Sequence, residues 1–354
     1  MSFMNILLSF GTWYLTGNMT TVRDFHKSTF ILATNSVLIV GGYDSNSSLS
    51  STENFLESNS SFVPLSDTLQ PRQFHTVDRL SNNDVVIAGG WSALQIAELY
   101  DPLVGRSNTI IHMTAPRAAH TSAVIDDGSS STTKVLLVGG RDPTDTLVTG
   151  DIFDSTTHMF TAVANNMTSE RYCHTATAIG NGYVLIAGGM NNASVDLDSL
   201  ELYNSSSNLF VPLSARLSTG RSYHTATYIP SIQAVLFVGG FLQSVPLKTY
   251  DLFNISTFTF TILNASTLSA RAYHTATLLL DEQVLLVGGE VNYVRTSSCE
   301  LYRPATNRFI TVSNMSTERA DHTSTLLTNT GQVLVCGGEN QNNAVLNSCE
   351  LYQP

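Results

Sequence analysis

Seven glycine pairs recur along this 354-residue sequence at intervals of 48 to 51 residues. Self-similarity at a fixed period near 50 residues is typical of propellers and related arrays, whose repeats are small sheets that cannot bury both faces alone. The pairs stand at Gly41-Gly42, Gly89-Gly90, Gly139-Gly140, Gly188-Gly189, Gly239-Gly240, Gly288-Gly289 and Gly337-Gly338. The spacing predicts seven stacked units.

Each unit also carries three polar markers around its glycine pair. An Arg-x-x-His motif lies upstream, with arginines at Arg23, Arg72, Arg117, Arg171, Arg221, Arg271 and Arg319. Its histidines are His26, His75, His120, His174, His224, His274 and His322. An acid follows downstream of each pair, at Glu53, Glu98, Asp151, Glu201, Asp251, Glu300 and Glu350. The seven units therefore share charged and polar side chains as well as apolar strands.

Every unit predicts four short strands. The first follows the histidine, the second ends at the glycines, the third carries the acid, and the fourth is a short apolar run such as Phe260–Leu263. Runs of this length, rich in Val, Ile, Leu and Thr and bounded by turn residues, are typical of strands, and no stretch keeps a 3.6-residue period. We expect an all-β, seven-bladed propeller forming one domain over 1–354. Its predicted blades are 23–65, 72–113, 117–163, 171–213, 221–263, 271–312 and 319–352 plus 12–16.

The two ends of the chain are expected to share the last blade. The seventh unit stops at Tyr352, three strands in, so a fourth strand is missing there. Trp13 lies 13 residues before the first repeat histidine, the spacing that Phe62 keeps from the second. Because an open ring would expose unpaired strand edges, we predict that Thr12–Thr16 completes the last blade.

The composition and net charge limit the classes of partner that we expect. The net charge is -11, with 17 Lys and Arg against 28 Asp and Glu, and no basic stripe lies outside the repeat arginines. Nucleic acid is therefore not an expected partner, and the absence of an apolar run near ~20 residues argues against a membrane span. No helical dimerisation segment is evident, so a monomer is expected. An N-terminus without a basic leader favours the cytoplasm, whereas sequons such as Asn18, Asn59 and Asn166 keep an extracellular location open.

Two features of blades three and seven stand outside the pattern. Asp126–Thr133 enlarges the first hairpin of blade three with polar residues, which predicts a mobile flap. Cys336 ends one strand of the last blade and Cys349 opens the next, so these two side chains can approach each other. The cysteine spacing is not that of a disulfide framework, and we expect free thiols.

The combination of a hydrophobic strand, Gly-Gly and a spaced acid-x-aromatic resembles the kelch repeat over nearly the whole chain. The Arg-x-x-His-Thr-Ala-Thr and Glu-Leu-Tyr forms are most similar to kelch proteins related to galactose oxidase. The family's fourth-strand Trp is kept only at Trp13 and is mostly Phe elsewhere. The resemblance implies the propeller fold, while the functions found on it include ligase adaptors, cytoskeletal binders, oxidases and lectin-like scaffolds.

The repeated arginines and histidines have a functional and a structural interpretation. Kelch adaptors that bind acidic peptides use arginines from the face where the loops between the second and third strands emerge. A ring of imidazoles near the axis could also chelate a metal. However, an acid recurs with every arginine, and a desolvated guanidinium is best kept paired with a carboxylate. We therefore expect the arginines to pair within the framework and the histidines to make structural hydrogen bonds.

The resemblance to copper-radical oxidases can be compared residue by residue. Such oxidases need a Tyr-His pair, a second Tyr cross-linked to a Cys, and a further His from another domain. Tyr223-His224 and Tyr273-His274 place Tyr beside His, but both pairs belong to the repeat, and Cys173 occupies a repeat position beside Tyr172. We predict no catalytic residue, no metal site and no cofactor.

The loops after the glycine pairs differ most between units, and they begin with Tyr43, Trp91, Arg141, Met190, Phe241, Glu290 and Glu339. Trp, Tyr, Met and Arg are enriched in protein interfaces, so a partner is expected on the side formed by Tyr43, Trp91, Arg141 and Phe241. Met190, Tyr293 and Arg295 are further candidates, although blades six and seven look acidic and polar.

The sequence favours a non-enzymatic scaffold that binds a protein or peptide. The alternatives are an extracellular glycan-binding or galactose/glyoxal-oxidase-like propeller, and the substrate-recognition propeller of a ubiquitin-ligase adaptor without its own oligomerisation domain.

Overall fold

The computed structural model describes residues 11–125, 128, 132–261 and 266–354. It contains seven antiparallel four-stranded sheets, which are the blades of a propeller. The predicted all-β, seven-bladed fold is confirmed. Most of the enlarged hairpin of blade three, and the end of the predicted fourth strand of blade five, lie outside the described residues.

Blades one to three follow the chain from the inside of the propeller outwards. The strands of blade one are Lys27–Ile31, Ser36–Val40, Thr52–Leu56 and Ser61–Pro64. Those of blade two are Thr76–Arg79, Val85–Ala88, Ile96–Asp101 and Arg106–His112. Those of blade three are Thr121–Ile125, Lys134–Val138, Gly150–Asp154 and Met159–Ala162.

Blades four to six repeat this order and carry small additions. Blade four contains Thr175–Gly180, Tyr183–Ala187, Ser199–Asn204 and Leu209–Arg216. Blade five contains Thr225–Ile229, Ala234–Val238, Tyr250–Asn254 and Thr259–Thr261. Blade six contains Thr275–Leu278, Val284–Val287, Cys299–Arg303 and Arg308–Thr311. Two short 3₁₀ helices, Pro230–Ile232 and Pro304–Thr306, sit in turns, and no helix of the described chain is long and apolar enough to cross a membrane.

Blade seven is built from both ends of the chain. Its strands are Thr323–Leu326, Val333–Cys336, Cys349–Gln353 and Thr12–Leu15. Trp13 lies opposite Tyr352 in the register, with ring centroids 5.1 Å apart, and its indole N–H donates to the carbonyl oxygen of Ser313 at 2.8 Å. The predicted closure by the N-terminal strand is confirmed, and backbone hydrogen bonds join the two ends.

Cys336 and Cys349 form a disulfide, so the expectation of free thiols was wrong for this pair. The two residues are direct cross-strand partners in blade seven, with Cα atoms 4.2 Å apart. Sequence spacing could not show this, because the length of the intervening loop decides which residues face each other. Cys173 and Cys299 remain free.

The glycine pairs let neighbouring blades approach closely. Gly41 has φ +59°, a left-handed conformation that favours glycine, and a Cβ there would lie 2.6 Å from the carbonyl oxygen of Arg72 in the next blade. The second strands are buried except at Lys134 and Tyr183, their first residues in blades three and four. The apolar core consists of clusters that each join two adjacent blades, such as Val86, Leu137 and Phe153 between blades two and three. Each blade therefore depends on its neighbour for burial.

Candidate functional site

The seven repeat arginines lie inside the framework rather than in the channel. All are fully buried, and each contacts the repeat acid of its own blade. In blade one, Arg23 Nη2 is 2.8 Å from Glu53 Oε1, and its Nη1 donates to the carbonyl oxygen of Gly41 at 2.7 Å. Glu53 also accepts the backbone N–H of Thr20 at 2.7 Å. One ion pair thus joins the first strand, the glycine turn and the third strand, and none of these arginines is free to bind an outside carboxylate.

The repeat histidines connect adjacent blades. In six of them the imidazole Nε2 shares a hydrogen bond with a Thr hydroxyl at the start of the preceding blade's first strand. The pairs are His26–Thr323, His120–Thr76, His174–Thr121, His224–Thr175, His274–Thr225 and His322–Thr275, at 2.7 to 3.2 Å. Burial lowers the pKa of all seven histidines below the ordinary value, so they are neutral at pH 7.

The residues just before these histidines form the mouth of the central channel. All seven have positive φ, an uncommon conformation for a residue other than glycine. They are Phe25, Phe74, Ala119, Cys173, Tyr223, Tyr273 and Asp321. Backbone hydrogen bonds run from blade to blade around this ring, for example from Tyr223 N–H to the carbonyl oxygen of Cys173 at 3.0 Å. The constrained backbone directs one side chain from each of the seven blades towards the same opening.

The side chains of the mouth are aromatic on two sides and acidic between them. The Phe25 and Phe74 rings stack at 4.1 Å, and the Tyr223 and Tyr273 rings lie 4.5 Å apart. Burial and the nearby carboxylates of Asp24 and Glu339 raise the pKa of Asp321 well above its usual range. The mouth therefore combines apolar walls with a carboxyl group that holds its proton more tightly than usual.

The loops that follow the glycine pairs surround this mouth on one face, which we call the loop face. Tyr43, Trp91, Arg141, Met190 and Phe241 each form a backbone bridge with the residue after the repeat arginine of the same blade. The bridges fix the start of every loop, so differences between blades arise from the loop tips.

The sequence-predicted candidates separate into two groups on the loop face. Arg141 places its guanidinium 4.8 Å from the centre of the Tyr172 ring, and the Tyr172 hydroxyl donates to Met190 Sδ at 3.0 Å. Met190 then lines a cavity together with Phe241, Tyr293 and Arg295, whereas Tyr43 and Trp91 are not among the residues lining this cavity. The structure brings together the candidates of blades four to six.

This cavity, the blade 4–6 pocket, has a volume of about 460 Å³ and is lined by Met190, Ser222, Tyr223, Phe241, Ser244, Tyr273, Glu290, Tyr293 and Arg295. Phe241 is buried at its base, with its ring edge-on to Tyr273 at 5.3 Å. Two short hairpins form its walls, Phe241–Leu242 with Val245–Pro246 and Glu290–Val291 with Val294–Arg295. Arg295 is held by Glu339 at 2.6 Å and lies 3.8 Å from Glu290.

Sequence reasoning missed Tyr223 and Tyr273 as walls of this pocket, because it treated them as repeat neighbours of His224 and His274. The signal available was their position in the Arg-x-x-His motif, where the two residues between the arginine and the histidine vary from blade to blade while the arginine and the histidine do not. A variable residue inside an otherwise regular motif points towards a surface that the framework does not need.

Comparisons with known proteins identify the family. A model named the KLHDC2/KLHL20/DRC7 Kelch-repeats domain matches residues 119–338. The chain belongs to the kelch-repeat family. No curated protein matches this kelch sequence significantly. Kelch propellers generally support protein binding, and that is the level at which the family describes this chain.

Among solved structures, this kelch propeller is similar to a fungal alcohol oxidase of the AA5 family in complex with copper. The TM-score is 0.80 at 15% sequence identity, and the match covers 98% of this chain and 77% of the oxidase chain. At that identity the likeness shows a galactose-oxidase-like fold alone.

Copper, which that oxidase holds, would need several His, Cys, Asp or Glu side chains directed at one point. Within the described part of the chain, no group of three or more such side chains is arranged to hold a metal ion. The imidazoles of His224 and His274 already use Nε2 in hydrogen bonds to Thr175 and Thr225. The described residues therefore do not fit a copper centre.

Proposed function

We propose that the loop face over blades four to six binds a segment of a protein partner and seats a large apolar side chain of that segment in the blade 4–6 pocket. The single observation that carries this proposal is the pocket itself, an open cavity walled by Phe241, Tyr223, Tyr273 and Tyr293 on a family scaffold that generally binds proteins. A pocket that accepts one anchoring side chain is the usual centre of such an interface.

The rim of the pocket supports the same proposal. The loop tips of blades four, five and six expose Val195, Val245, Tyr293 and Val294, which are 53%, 61%, 67% and 50% accessible. Apolar side chains grouped at the tips of neighbouring loops mark interaction surfaces more reliably than single exposed residues do. Covering them with a partner would remove apolar area from water.

Charge around the pocket favours a partner with basic residues beside its apolar anchor. Glu290 and Glu339 share one cation, Arg295. The whole chain carries a net charge of -11. A Lys or Arg flanking the anchor would meet complementary potential, which speeds association and excludes acidic segments.

The loops of blades one and three support a binding surface less strongly than the pocket does. Asp44 accepts the backbone N–H of Ser47 at 2.8 Å, and Asp142 accepts that of Asp145 at 2.7 Å, so both loops close on themselves as polar turns. Blade six contributes more, because its hairpin carries Tyr293. The proposed binding side therefore runs from Met190 to Arg295 rather than from Tyr43 to Phe241.

Selection from a displayed library of random peptides, followed by fluorescence polarisation with the selected peptide, tests the proposal. We expect an enriched aromatic or large aliphatic residue next to Lys or Arg, and a loss of binding of about 10-fold or more, equivalent to at least about 1.4 kcal/mol, for Tyr293→Ser. Leu280→Ser replaces an apolar residue of similar exposure (62%) in the turn between the first two strands of blade six, and should leave binding unchanged.

Trp91→Ala distinguishes the two arcs of the loop face. If Trp91→Ala abolishes binding while Tyr293→Ser does not, the partner lies over blades one to three and the proposed pocket is wrong. If the protein enriches no peptide but binds glycans on an array in a Tyr293-dependent manner, the protein-binding proposal is overturned in favour of the glycan-binding alternative.

A further inference from the structure

One residue inside the central channel departs from the sevenfold repeat. In six blades the residue after the repeat histidine is Thr, whose hydroxyl bonds the next blade's histidine. In blade one this residue is Lys27. In the six other blades the residue at this position hydrogen-bonds a buried histidine of the next blade. Lys27 can therefore be compared with six copies of that hydrogen bond in the same molecule.

Lys27 removes a hydrogen bond from the framework. His75, the histidine that faces blade one, has no partner for either ring nitrogen among the described residues, although it is buried. A buried polar group without a partner destabilises a fold, and proteins keep such local costs mainly at functional sites. The lysine is therefore better explained by what its amine can do than by what it contributes to stability.

The amine of Lys27 stands at the junction of the channel cavities. Lys27 lines three of them, with volumes of about 200, 360 and 220 Å³, which share lining residues with one another. Its side chain is reached by water, and within the described chain it makes no ion pair and no side-chain hydrogen bond. The charged side chains lining the same cavities are Asp78 and Asp321, and the imidazoles around it are neutral.

We propose that Lys27 is a covalent binding site for a small aldehyde, which it holds inside the channel as an imine. The lone pair of Nζ attacks the carbonyl carbon, and the carbonyl oxygen takes a proton to give a carbinolamine. Loss of that hydroxyl and one proton from nitrogen releases one water and leaves the C=N bond. No oxidant or reductant is consumed. The stacked rings of Phe25 and Phe74 at the mouth favour an aldehyde with an aromatic group.

The proton balance suits this chemistry near neutral pH. Desolvation by the surrounding channel walls lowers the pKa of Lys27, partly offset by Asp321, Cys173 and Asp78, so more of the amine is unprotonated than in a lysine on the outer surface. Burial raises the pKa of Asp78 to about 6, which lets its carboxyl group both give and take protons in the cavity that it shares with Lys27.

Reductive trapping tests the site, and the sequence makes the result simple to read. The chain has three lysines, Lys27, Lys134 and Lys248, so each can be followed by peptide mapping after treatment with benzaldehyde and cyanoborohydride at pH 7. We expect Lys27 to be alkylated at least 10-fold faster than the exposed Lys248 in the folded protein. The difference should disappear in urea.

Two further arms separate reaction in the channel from reaction at a surface. An aldehyde carried on a large polymer such as oxidised dextran, which exceeds the channel cavities of about 200, 360 and 220 Å³, should label Lys248 and spare Lys27. Lys27→Arg keeps the charge and should remove the fast adduct without altering the other two sites. Equal or slower labelling of Lys27 by benzaldehyde, or equally fast labelling by the bulky aldehyde, would overturn the proposal.

Discussion

The innermost strands of blades one and three follow the same Arg-x-x-His motif, but the residue after the histidine differs between them. Thr121 in blade three joins His174 of the next blade at 2.7 Å, whereas Lys27 in blade one leaves His75 without a partner. The first arrangement recurs in five other blades and belongs to the framework. The second occurs once, inside the channel. The six blades with Thr show what the fold needs at this position. The one blade with a different residue can therefore be examined for a function that the fold does not require.

The same contrast separates the repeated framework of the blades from the loop face. In the framework every blade repeats one buried arginine–acid pair, and on the loop face no two blades present the same loop. Changes in the framework should therefore affect stability, while changes on the loop face should affect binding.

Acid should destabilise the framework strongly. The repeat histidines have folded-state pKa values below the unfolded value of about 6.5, and that of His322 is about 3. Below pH 6.5 the unfolded chain therefore binds protons that the folded chain refuses, and stability falls as the pH falls. Each histidine contributes about 1.4 kcal/mol per pH unit in this window. Asp24 and Asp78, with pKa values raised to about 7 and about 6, act in the opposite direction and offset part of the loss.

The urea midpoint measured between pH 8 and pH 4 checks this prediction. A steep decline below pH 6.5 is expected, and replacing the exposed His158 by Ala should not alter it. A midpoint that stays constant from pH 7 to pH 5 would show that the histidines are not held neutral by the framework.

Breaking one arginine–acid pair should cost about 3–5 kcal/mol, because it leaves an unpaired buried charge. Arg171→Met leaves Glu201 without its ion-pair partner, and Glu201, which is 3.1 Å from Arg171, is also buried. The matched control is Arg216→Met, which removes a half-exposed arginine 3.9 Å from Asp198 and should change stability by less than about 1 kcal/mol. Denaturant unfolding of the two variants gives the comparison, and similar losses from both would contradict the assigned role of the repeat arginines.

Restoring the repeat residue in blade one should stabilise the protein. Lys27→Thr supplies the hydroxyl that His75 lacks, so we expect a gain of about 1 kcal/mol. Thr121→Val makes the reverse change in blade three and should cost about the same amount. Both are measured by denaturant unfolding, and a destabilised Lys27→Thr variant would show that the lysine serves the framework after all.

The fold could be predicted from the sequence because each of its determinants is repeated seven times. The glycine spacing gave the blades, the position of Trp13 gave the closure, and the acid that accompanies every arginine suggested the pairs that the structure shows. Repetition turns a weak local signal into a strong one.

The pocket and the disulfide could not be predicted, since neither is repeated. The hairpin that carries Tyr293 depends on loop geometry in a single blade. The left-handed backbone before the histidines recurs in every blade, but it carries a tyrosine only in blades five and six. Cys336 and Cys349 meet only because of the register of blade seven. Lys27 was visible in the sequence as one of three lysines, but its significance required the Thr–His hydrogen bonds of the other blades.

Hydrogen–deuterium exchange with and without the selected peptide tests the central claim most directly, because it reports every loop at once. The account predicts slower exchange in the loops after the glycine pairs of blades four to six, at 190–198, 241–249 and 290–298, with the corresponding loops of blades one and two unchanged. Protection confined to 43–51 and 91–95 would contradict it, as would protection only in turns on the opposite face.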